Sequence, residues 1–371
     1  MKVSIERNAF LKALNHCHSI VERRTTLPIL SHVLLNAEGM SLKLNATDLE
    51  LSVIETVSAT VVEPGRSTVS AHLLHEIVKK FRDGSKVELS MNKDTNQIEV
   101  SCGKSKFQLP FLPPEDFPII KTTDSEFNFS LPPKTLKRLF DKTRIAMATE
   151  ETRYFLCGVY LHTFEDRELR AAATDGHRLA RVSVSLPEGA RGMPGIIISR
   201  KTVNEFSKIL TETNDDIQVG VSETQITFTM QNAQLVSRLI DGQYPNYEDA
   251  IPDDTTNSRT MHVKVKPFFQ AVDRVATIAN DQFSGIKLSV DDNRLTLSAI
   301  NEESGQAREE IEVDYSSPEV TIGFSSRYLM DVTQQLDQDE AQLAFADNDS
   351  PIVIRPCNDD TSLFVLMPLR V

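Results

Sequence analysis

One pattern of apolar and polar positions occurs three times along the 371-residue chain. In each copy a short alternating strand ends at an apolar residue, and further apolar residues follow five and nine positions later. This spacing predicts an amphipathic helix directly after a strand. The strand ends are Ile5, Leu131 and Val263, and the apolar pairs after them are Phe10 and Leu14, Leu136 and Phe140, and Phe268 and Val272.

A second helical pattern is repeated in the same way. A serine is followed by apolar residues four, seven and eleven positions later, which lie on one face of a helix. Serine is a typical N-cap residue, because its hydroxyl can accept a hydrogen bond from the first turn. We therefore expect N-caps at Ser70, Ser199 and Ser325.

The segments between the helical patterns alternate with period two, as half-buried strands do. Each copy has room for two helices and about eight strands, which predicts an α+β fold with the helices packed on antiparallel sheets. The copies predict three tandem domains, at residues 1–124, 127–253 and 259–371. The polar segments 122–126 and 253–259 are the expected linkers.

The composition is that of a soluble globular protein, with 40% apolar and 25% charged residues. No apolar run approaches the ~20 residues of a membrane span, and the charged start of the chain is unlike a signal peptide. The four cysteines lie far apart without metal-ligand spacing, which predicts neither structural zinc nor a disulfide framework. We expect a cytoplasmic protein with free thiols, no cofactor, no metal and no membrane contact.

The negative charge is distributed unevenly along the chain. The net charge is −13, yet the six predicted helices together carry +10, so the remaining residues carry −23. One interpretation is that Lys and Arg, as good helix formers, simply solvate exposed helix faces. The other is that the helices face a polyanion such as duplex DNA while an acidic exterior suppresses general adhesion.

Motifs of catalysis are scarce in this sequence. Neither a phosphate-binding loop nor a hydrolase nucleophile motif occurs, and Asp175 and His177 are the one pair that could serve as orienter and base. The alternative for this pair is an Asp-Gly turn with an exposed histidine beside it. A non-enzymatic protein is the leading prediction; a hydrolase using Asp175 and His177, and a protein scaffold without a DNA role, are the alternatives.

Several stretches, in their order and spacing, resemble the bacterial DNA polymerase III beta subunits, the replication sliding clamps. The resemblance covers essentially the whole chain, and the stretches are 26–30 (TLPIL), 46–50 (ATDLE), 153–156 (RYFL), 173–180 (ATDGHRLA), 241–245 (DGQYP) and 365–371 (VLMPLRV). It implies three tandem DNA-clamp domains and a head-to-tail homodimer that closes as a ring around double-stranded DNA, without sequence specificity. It also implies a processivity factor that tethers the replicative polymerase.

The resemblance further implies an interface between the first domain of one subunit and the third domain of the other. The interface positions are Lys104, Lys106, Phe107 and Leu109 on one side, and Thr277, Ile278, Glu302 and Glu303 with the neighbouring Glu309 and Glu310 on the other. Thr277 stands where related clamps often have a larger apolar residue.

A pocket for short clamp-binding peptides is also implied, with the replicative polymerase catalytic subunit, the clamp-loader complex, and other polymerases and repair proteins as partners. The implied peptide-binding residues are Arg153, Leu156, Thr174, Gly176, His177, Arg178, Leu179, Pro245, Tyr328, Val365, Leu366, Met367, Pro368, Leu369 and Arg370. The alternative is that Leu156, Leu179 and the last strand merely fill the core. Asp249, Ala250 and Pro351 depart from the family pattern, so the peptide preference is expected to differ.

For DNA, the residues that match family positions near the duplex are Arg24, Tyr154, Arg200 and Lys201. Glu150 stands where a neutral polar residue is commoner in the family, which should weaken that contact.

Overall fold

The computed structural model describes residues 1–23, 25–92, 94–210, 214–279, 285–301 and 304–369. Their contacts divide the chain into two compact units. The first unit consists of Met1–Lys134, Glu188–Ala190 and Lys201–Leu239, and the second of Thr135–Pro187, Arg191–Arg200 and Ile240–Val371. The middle repeat contributes to both units, so the three predicted domain ranges remain a prediction.

The described residues of each repeat form two α-helices at the positions that the apolar spacing predicts. Phe10, Leu136 and Phe268, which lie five positions after the strand end in the three repeats, are each at most 1% exposed. The helices are α1 (Arg7–Ile20), α2 (Ala71–Lys79), α3 (Pro133–Arg144), α4 (Arg200–Ile209), α5 (Val265–Ala276) and α6 (Ser326–Thr333). None of these described helices is long and apolar enough to cross a membrane.

The described residues of each repeat also form eight strands. In the first repeat these are β1 (Lys2–Glu6), β2 (His32–Glu38), β3 (Ser41–Thr47), β4 (Leu51–Glu63), β5 (Gly65–Ser70), β6 (Lys86–Asn92), β7 (Gln97–Cys102) and β8 (Ser105–Pro110). In the second they are β9 (Phe127–Leu131), β10 (Gly158–Phe164), β11 (Glu168–Thr174), β12 (Arg178–Ser185), β13 (Ile196–Ser199), β14 (Ile217–Val221), β15 (Gln225–Thr229) and β16 (Ala233–Arg238). In the third they are β17 (Arg259–Lys264), β18 (Gly285–Asp291), β19 (Arg294–Asn301), β20 (Gly305–Glu312), β21 (Val320–Ser325), β22 (Glu340–Phe345), β23 (Ile352–Pro356) and β24 (Ser362–Leu366).

The sheets run across the repeat boundaries. In the first unit one sheet has the order β8-β7-β6-β1-β4-β16-β15-β14-β9, with β2, β3 and β5 branching from it. In the second unit one sheet has the order β13-β10-β11-β12-β24-β23-β22-β17, and another the order β20-β19-β18-β21. The strand pairs are antiparallel, which agrees with the predicted α+β fold.

Corresponding strands pair with each other at both repeat boundaries. The fourth strand of the first repeat, β4, pairs with the eighth strand of the second, β16, in a register that places Leu51 opposite Ser237. The fourth strand of the second repeat, β12, pairs with the eighth strand of the third, β24, and Arg178 lies opposite Leu366. The eighth strand of the first repeat, β8, and the fourth strand of the third repeat, β20, take part in neither pairing. Each lies at the edge of its sheet.

For two of the three serines the N-cap prediction is right in position but wrong about the capping hydrogen bond. Ser70 and Ser325 directly precede α2 and α6, but neither side chain caps the helix. Each is the last residue of a strand, and Ser70 pairs with His32 in the sheet, so the helix begins where strand pairing ends. Helix α1 is capped instead by Glu6, whose Oε2 accepts a hydrogen bond from the Ala9 N–H at 2.8 Å.

Part of the positive charge of the helices is neutralised inside the chain. On α3, Arg138 Nη2 lies 2.8 Å from Asp359 Oδ2, and the buried Lys142 Nζ lies 2.9 Å from Asp337 Oδ2. Arg7 donates to two carbonyl groups in the last turn of α2, at 3.0 and 2.6 Å. Each of these cations contacts a partner within its own unit. The summed charge of the helices is therefore larger than the positive charge that is available to a polyanion.

The hydrogen bonds around Asp359 make the stability of the second unit dependent on pH. Burial by itself would raise the pKa of Asp359, but hydrogen bonds from Thr361 and Ser362, together with Arg138, lower it from 3.8 to about 2. A carboxylate whose pKa is lower in the folded state stabilises the fold above the unfolded pKa, and this contribution disappears as the pH falls through the folded pKa.

We predict that Asp359→Asn lowers the free energy of unfolding of the second unit by about 2 kcal/mol at pH 6. The difference from the wild type should shrink as the pH falls from about 4 to 2, since the wild-type carboxyl is then protonated as well. Urea unfolding followed across this pH range measures the difference. Asp360→Asn, at an exposed neighbour, is the control; a pH-independent difference for Asp359→Asn would contradict the prediction.

Candidate functional site

The turn between β11 and β12 is built by hydrogen bonds from its own side chains. Thr174 Oγ1 donates to the Arg178 carbonyl at 2.8 Å and accepts from the Gly176 N–H at 3.1 Å. Asp175 Oδ1 accepts from the N–H groups of His177 and Arg178, at 2.9 and 3.0 Å. Gly176 has a φ of +89°, a conformation that favours glycine. Asp175 thus shapes the turn, as the Asp-Gly alternative predicts, and His177 is exposed beside it.

The buried guanidinium of Arg178 connects this turn to helix α6. Its Nε donates to Asp175 Oδ2 at 3.1 Å and its Nη1 to Asp331 Oδ2 at 2.6 Å. Its carbon Cζ lies 4.3 Å from the centre of the Tyr328 ring, a cation–π contact. Arg178 and Tyr328 are therefore brought together as the resemblance implies, and Asp331 is a member of the site that sequence reasoning missed.

The end of β24 lies against the same turn. Leu179 pairs with Val365, and the Met367 N–H donates to the His177 carbonyl at 2.9 Å. Leu369 continues the chain toward β21, because its N–H donates to the Gly323 carbonyl at 2.8 Å. The predicted residues at 174–179 and 365–369 thus form one continuous surface.

The apolar residues of this surface differ in exposure. Leu156, Leu179 and Val365 are at most 5% exposed and belong to one core cluster with Tyr244, and Leu366 is completely buried. Met367 and Leu369 are each 42% exposed. The interpretation that Leu156, Leu179 and the last strand contribute to the core is thus correct for their packing, and the exposed residues form a rim over this floor.

Arg153 and Pro245 lie at the margins of the surface. A Cβ placed on Gly176 would lie 2.9 Å from Arg153 Nη1, which locates the guanidinium directly over the turn. Pro245 is exposed and follows Tyr244, whose hydroxyl accepts a hydrogen bond from the Thr174 N–H at 3.0 Å. Pro368 is partly buried between Met367 and Leu369. Arg370 lies outside the described residues.

A stack of aromatic rings supports the segment that carries Pro245, and sequence reasoning missed it. The Tyr160 ring lies parallel to that of Tyr244 with centroids 4.7 Å apart, and His162 stacks on Tyr160 at the same distance. His162 Nε2 lies 2.8 Å from the Tyr247 hydroxyl. Burial raises the pKa of Tyr244 and Tyr247 and lowers that of His162, so all three are neutral at pH 7. These rings therefore contribute packing, and the motif at 241–245 is the sequence signal that falls on this segment.

The departures from the family pattern lie near this segment. Asp249 and Ala250 are exposed in the short 3₁₀ helix Tyr247–Ala250. Pro351 precedes β23, and its carbonyl accepts a hydrogen bond from Asn257 Nδ2 at 3.0 Å.

The predicted DNA residues have different environments. Tyr154 is 53% exposed. The Arg200 guanidinium donates to the carbonyl groups of Met147 and Ala148, and Lys201 Nζ lies 2.5 Å from Asp48 Oδ2. The charge of Lys201 is thus largely compensated. Arg24 lies outside the described residues.

Part of the predicted interface lies on β8 and β20, which are edge strands of their sheets. On β8, Lys106 is exposed and Phe107 is 38% exposed, whereas Leu109 is buried in its own unit. Lys104 is exposed in the turn that precedes β8.

On the other side, Thr277 is exposed after α5, and Ile278 is partly buried. Glu309 on β20 is paired with Arg274 of α5, and Glu310 lies 2.7 Å from Arg308 Nη2. These two carboxylates are thus partly neutralised within the chain. Glu302 and Glu303 lie outside the described residues.

No group of three or more His, Cys, Asp or Glu side chains in the described parts of the chain is arranged to hold a metal ion.

Family models match all three repeats. The N-terminal, central and C-terminal domains of the DNA polymerase III beta subunit match residues 1–121, 130–246 and 248–370. The chain is 44% identical to the beta sliding clamp of Caulobacter vibrioides and 33% identical to that of Escherichia coli, each over the full length of both chains.

Solved structures give the same result. A sliding clamp from Bartonella birtlesii, bound to griselimycin, superimposes with a TM-score of 0.96 at 42% identity over both complete chains. The Caulobacter crescentus polymerase III beta structure gives a TM-score of 0.92 at 44% identity, again with full coverage. The comparisons favour the non-enzymatic prediction over the hydrolase and scaffold alternatives. The chain belongs to the DNA polymerase III beta subunit family, the sliding clamps, which are non-catalytic processivity factors of DNA replication.

Proposed function

We propose that two copies of this chain associate head to tail, close as a ring around duplex DNA, and hold the replicative polymerase on it. The observation that carries the proposal is the match of all three repeats, over the whole chain, to proteins named as sliding clamps. The chain would consist of three domains with the ranges 1–124, 127–253 and 259–371. Its four free cysteines are typical of the cytoplasm, where we place it.

The strand pairing supports ring closure between two copies. Within the chain, the fourth strand of one repeat pairs with the eighth strand of the next, as β4–β16 and β12–β24. The same rule would pair β20 of one copy with β8 of the other. An edge strand presents unpaired N–H and C=O groups that a second strand can satisfy. Since each copy offers one edge of each kind, two such joints close a ring.

The charges of the two edges are complementary. The β8 side carries the exposed Lys104 and Lys106, and β20 carries Glu309, Glu310 and Glu312 with one arginine, Arg308, which leaves a net charge of −2 on the strand. Attraction between the edges would favour the head-to-tail pairing over a pairing of like edges. The neighbouring Glu302 and Glu303 would add to the acidic side.

Retention on DNA would depend on topology rather than tight binding. A protein with a net charge of −13 is poorly suited to wrapping phosphates, and a tight grip would hinder sliding. Tyr154, Arg200 and Arg24 would make short-range contacts with the duplex. Lys201 would contribute little, because Asp48 already compensates its charge.

The surface at 174–179 and 365–369 would receive short peptides from the polymerase catalytic subunit, the clamp-loader complex and other polymerases or repair proteins. Its exposed rim of Met367 and Leu369 over a buried apolar floor suits an apolar anchor residue. The polar turn with His177 would orient the peptide backbone at one side.

We predict that protein loaded by a clamp loader stays on a nicked circular DNA and leaves within seconds to minutes once the circle is cut. The reason is that a ring can slide off a free end but not off a circle. Gel filtration of labelled protein before and after cleavage measures retention, and raised salt should affect the circular complex little. Equal loss from circular and linear DNA would contradict ring closure.

We predict that Lys104→Glu combined with Lys106→Glu raises the dimer dissociation constant at least tenfold, because like charges would then face each other across the joint. Sedimentation velocity over a range of concentrations measures the constant. Lys43→Glu with Lys121→Glu changes the net charge equally at exposed positions elsewhere and is the control. Equal effects of the two double variants would contradict the assigned joint.

We predict that Met367→Ala lowers the affinity for a clamp-binding peptide of the polymerase at least tenfold and leaves the dimer intact, since a central apolar contact carries much of such binding energy. Fluorescence anisotropy of a labelled synthetic peptide measures the affinity. Met40→Ala removes an equally large side chain that is 85% exposed and is the control. Unchanged peptide affinity in Met367→Ala would show that the site is assigned wrongly.

A further inference from the structure

Helices α1 and α2 of the first unit run antiparallel, and side chains hold them together at both ends. At one end Arg7, the first residue of α1, donates to two carbonyl groups in the last turn of α2, at 3.0 and 2.6 Å. At the other end three histidines meet. His18 lies in the last turn of α1, and His72 and His75 lie in the first two turns of α2. These three residues are called the histidine cluster below.

The imidazole rings of the histidine cluster are in direct contact. The rings of His18 and His75 are stacked with centroids 4.0 Å apart, and the ring of His72 lies edge-on to that of His18 at 5.6 Å. His18 Nδ1 lies 3.0 Å from the Asn15 carbonyl oxygen, and His72 Nε2 lies 3.1 Å from that of Val21. A carbonyl oxygen only accepts, so each of these ring nitrogens carries a hydrogen. One hydrogen per ring is enough, and neutral rings therefore satisfy the arrangement.

A second proton on His75 would have no acceptor in this arrangement. Nε2 of His75 lies 2.8 Å from Asn15 Oδ1, so a further proton would be placed on Nδ1. Nδ1 is buried and has no hydrogen-bond partner among the described residues, and Glu76 Oε1 lies 3.6 Å from it. The positive end of the α2 dipole also disfavours a cation near the start of this helix. The surroundings of His75 thus favour its neutral form.

The pKa values of the two histidines on α2 agree with this geometry. Burial lowers the pKa of His72 and of His75 below the ordinary value of 6.5, and repulsion from His18 lowers both further. Arg23 and Lys79 also lower them, whereas Glu76 raises the pKa of His75.

The strands that pack against the two helices, β1 to β5, add two titratable groups that are not exposed, Glu55 and His32. Glu55 Oε1 lies 2.5 Å from Nδ1 of His16, and His32 Nδ1 lies 3.2 Å from Thr68 Oγ1. Each of the two groups thus contacts a residue outside the histidine cluster. The exposed charged residues of these strands are Lys2, Glu6, Glu38, Lys43, Glu63 and Arg66.

We propose that the histidine cluster is a pH-sensitive switch, which holds the start of α2 against the end of α1 while its rings are neutral and releases it when they are protonated. Two stacked imidazolium ions in a partly buried site would repel each other. The Arg7 end would not respond, because a guanidinium stays charged throughout this pH range. Acid would therefore open the helix pair from one end. The segment after α1 would be released as well, since His72 holds the Val21 carbonyl.

The lowered pKa values of His72 and His75 set the direction of the pH effect. Between their pKa in the closed form and 6.5, the open form binds more protons than the closed form. The closed form is therefore fully stable above about pH 6.5 and loses stability as the pH falls below this value.

The test measures amide hydrogen exchange of α2 in the full-length protein between about pH 7.5 and 5.5, corrected for the chemical exchange rate at each pH. Helix α4 of the same unit contains no histidine and is the internal reference. We expect the protection of α2 to fall about threefold or more relative to that of α4.

Two variants should change this fall in opposite directions. His18→Phe keeps a stacked ring without its charge and should make the fall smaller. Glu76→Gln removes an exposed carboxylate that favours protonated His75 and should make the fall larger. His262→Phe, at an exposed histidine of the second unit, is the control and should leave the fall unchanged.

Constant protection of α2 relative to α4 in the wild type would overturn the proposal. An equal fall in His18→Phe would do so too, because a second charged ring would then have no effect, and so would a smaller fall in Glu76→Gln. The Tm of each variant at pH 7.5 shows whether it is folded. If His18→Phe is not, the wild type and Glu76→Gln decide, since both must then show the fall and Glu76→Gln the larger one.

Discussion

A strand at the edge of a sheet leaves N–H and C=O groups without partners, and the architecture of this chain depends on how its repeats complete one another's sheets. Within the chain, the fourth strand of one repeat pairs with the eighth strand of the next. β4 is completed by β16 and β12 by β24. The sheets therefore cross the repeat boundaries, and this is why the compact units do not follow the boundaries of the repeats. The eighth strand of the first repeat, β8, and the fourth strand of the third, β20, remain as edge strands. We assign the contact between copies to these two strands.

The elements of the fold could be predicted from the sequence because they depend on local spacing. The apolar residues five and nine positions after each first strand are buried, as Phe10, Phe140 and Phe268 show. The pairing of β4 with β16 could not be predicted, since it joins residues about 180 positions apart and no local pattern specifies it. The N-cap positions Ser70 and Ser325 were predicted correctly, but the capping hydrogen bonds were not, because each serine is also the last residue of a strand.

In the candidate site, too, some features could be predicted from the sequence and others could not. Resemblance brought together residues that the structure also places on one surface, such as Arg178, Tyr328 and Met367. It could not separate the buried Leu179 from the exposed Met367, because both are apolar residues within or directly after an alternating segment. The ion-pair partners of the charged residues could not be predicted either. The contacts of Lys201 with Asp48 and of Arg178 with Asp331 depend on tertiary packing.

The repetition of one joint has a consequence for how the proposed ring would be opened. Four of its six joints between repeats would lie within a chain. There the continuous backbone connects the two repeats in addition to the hydrogen bonds between their strands. The two β8–β20 joints would have no such connection. A force applied anywhere on the circumference would therefore separate the protein at a subunit boundary, and a loading machine would not need to recognise the breaking point in order to open it there.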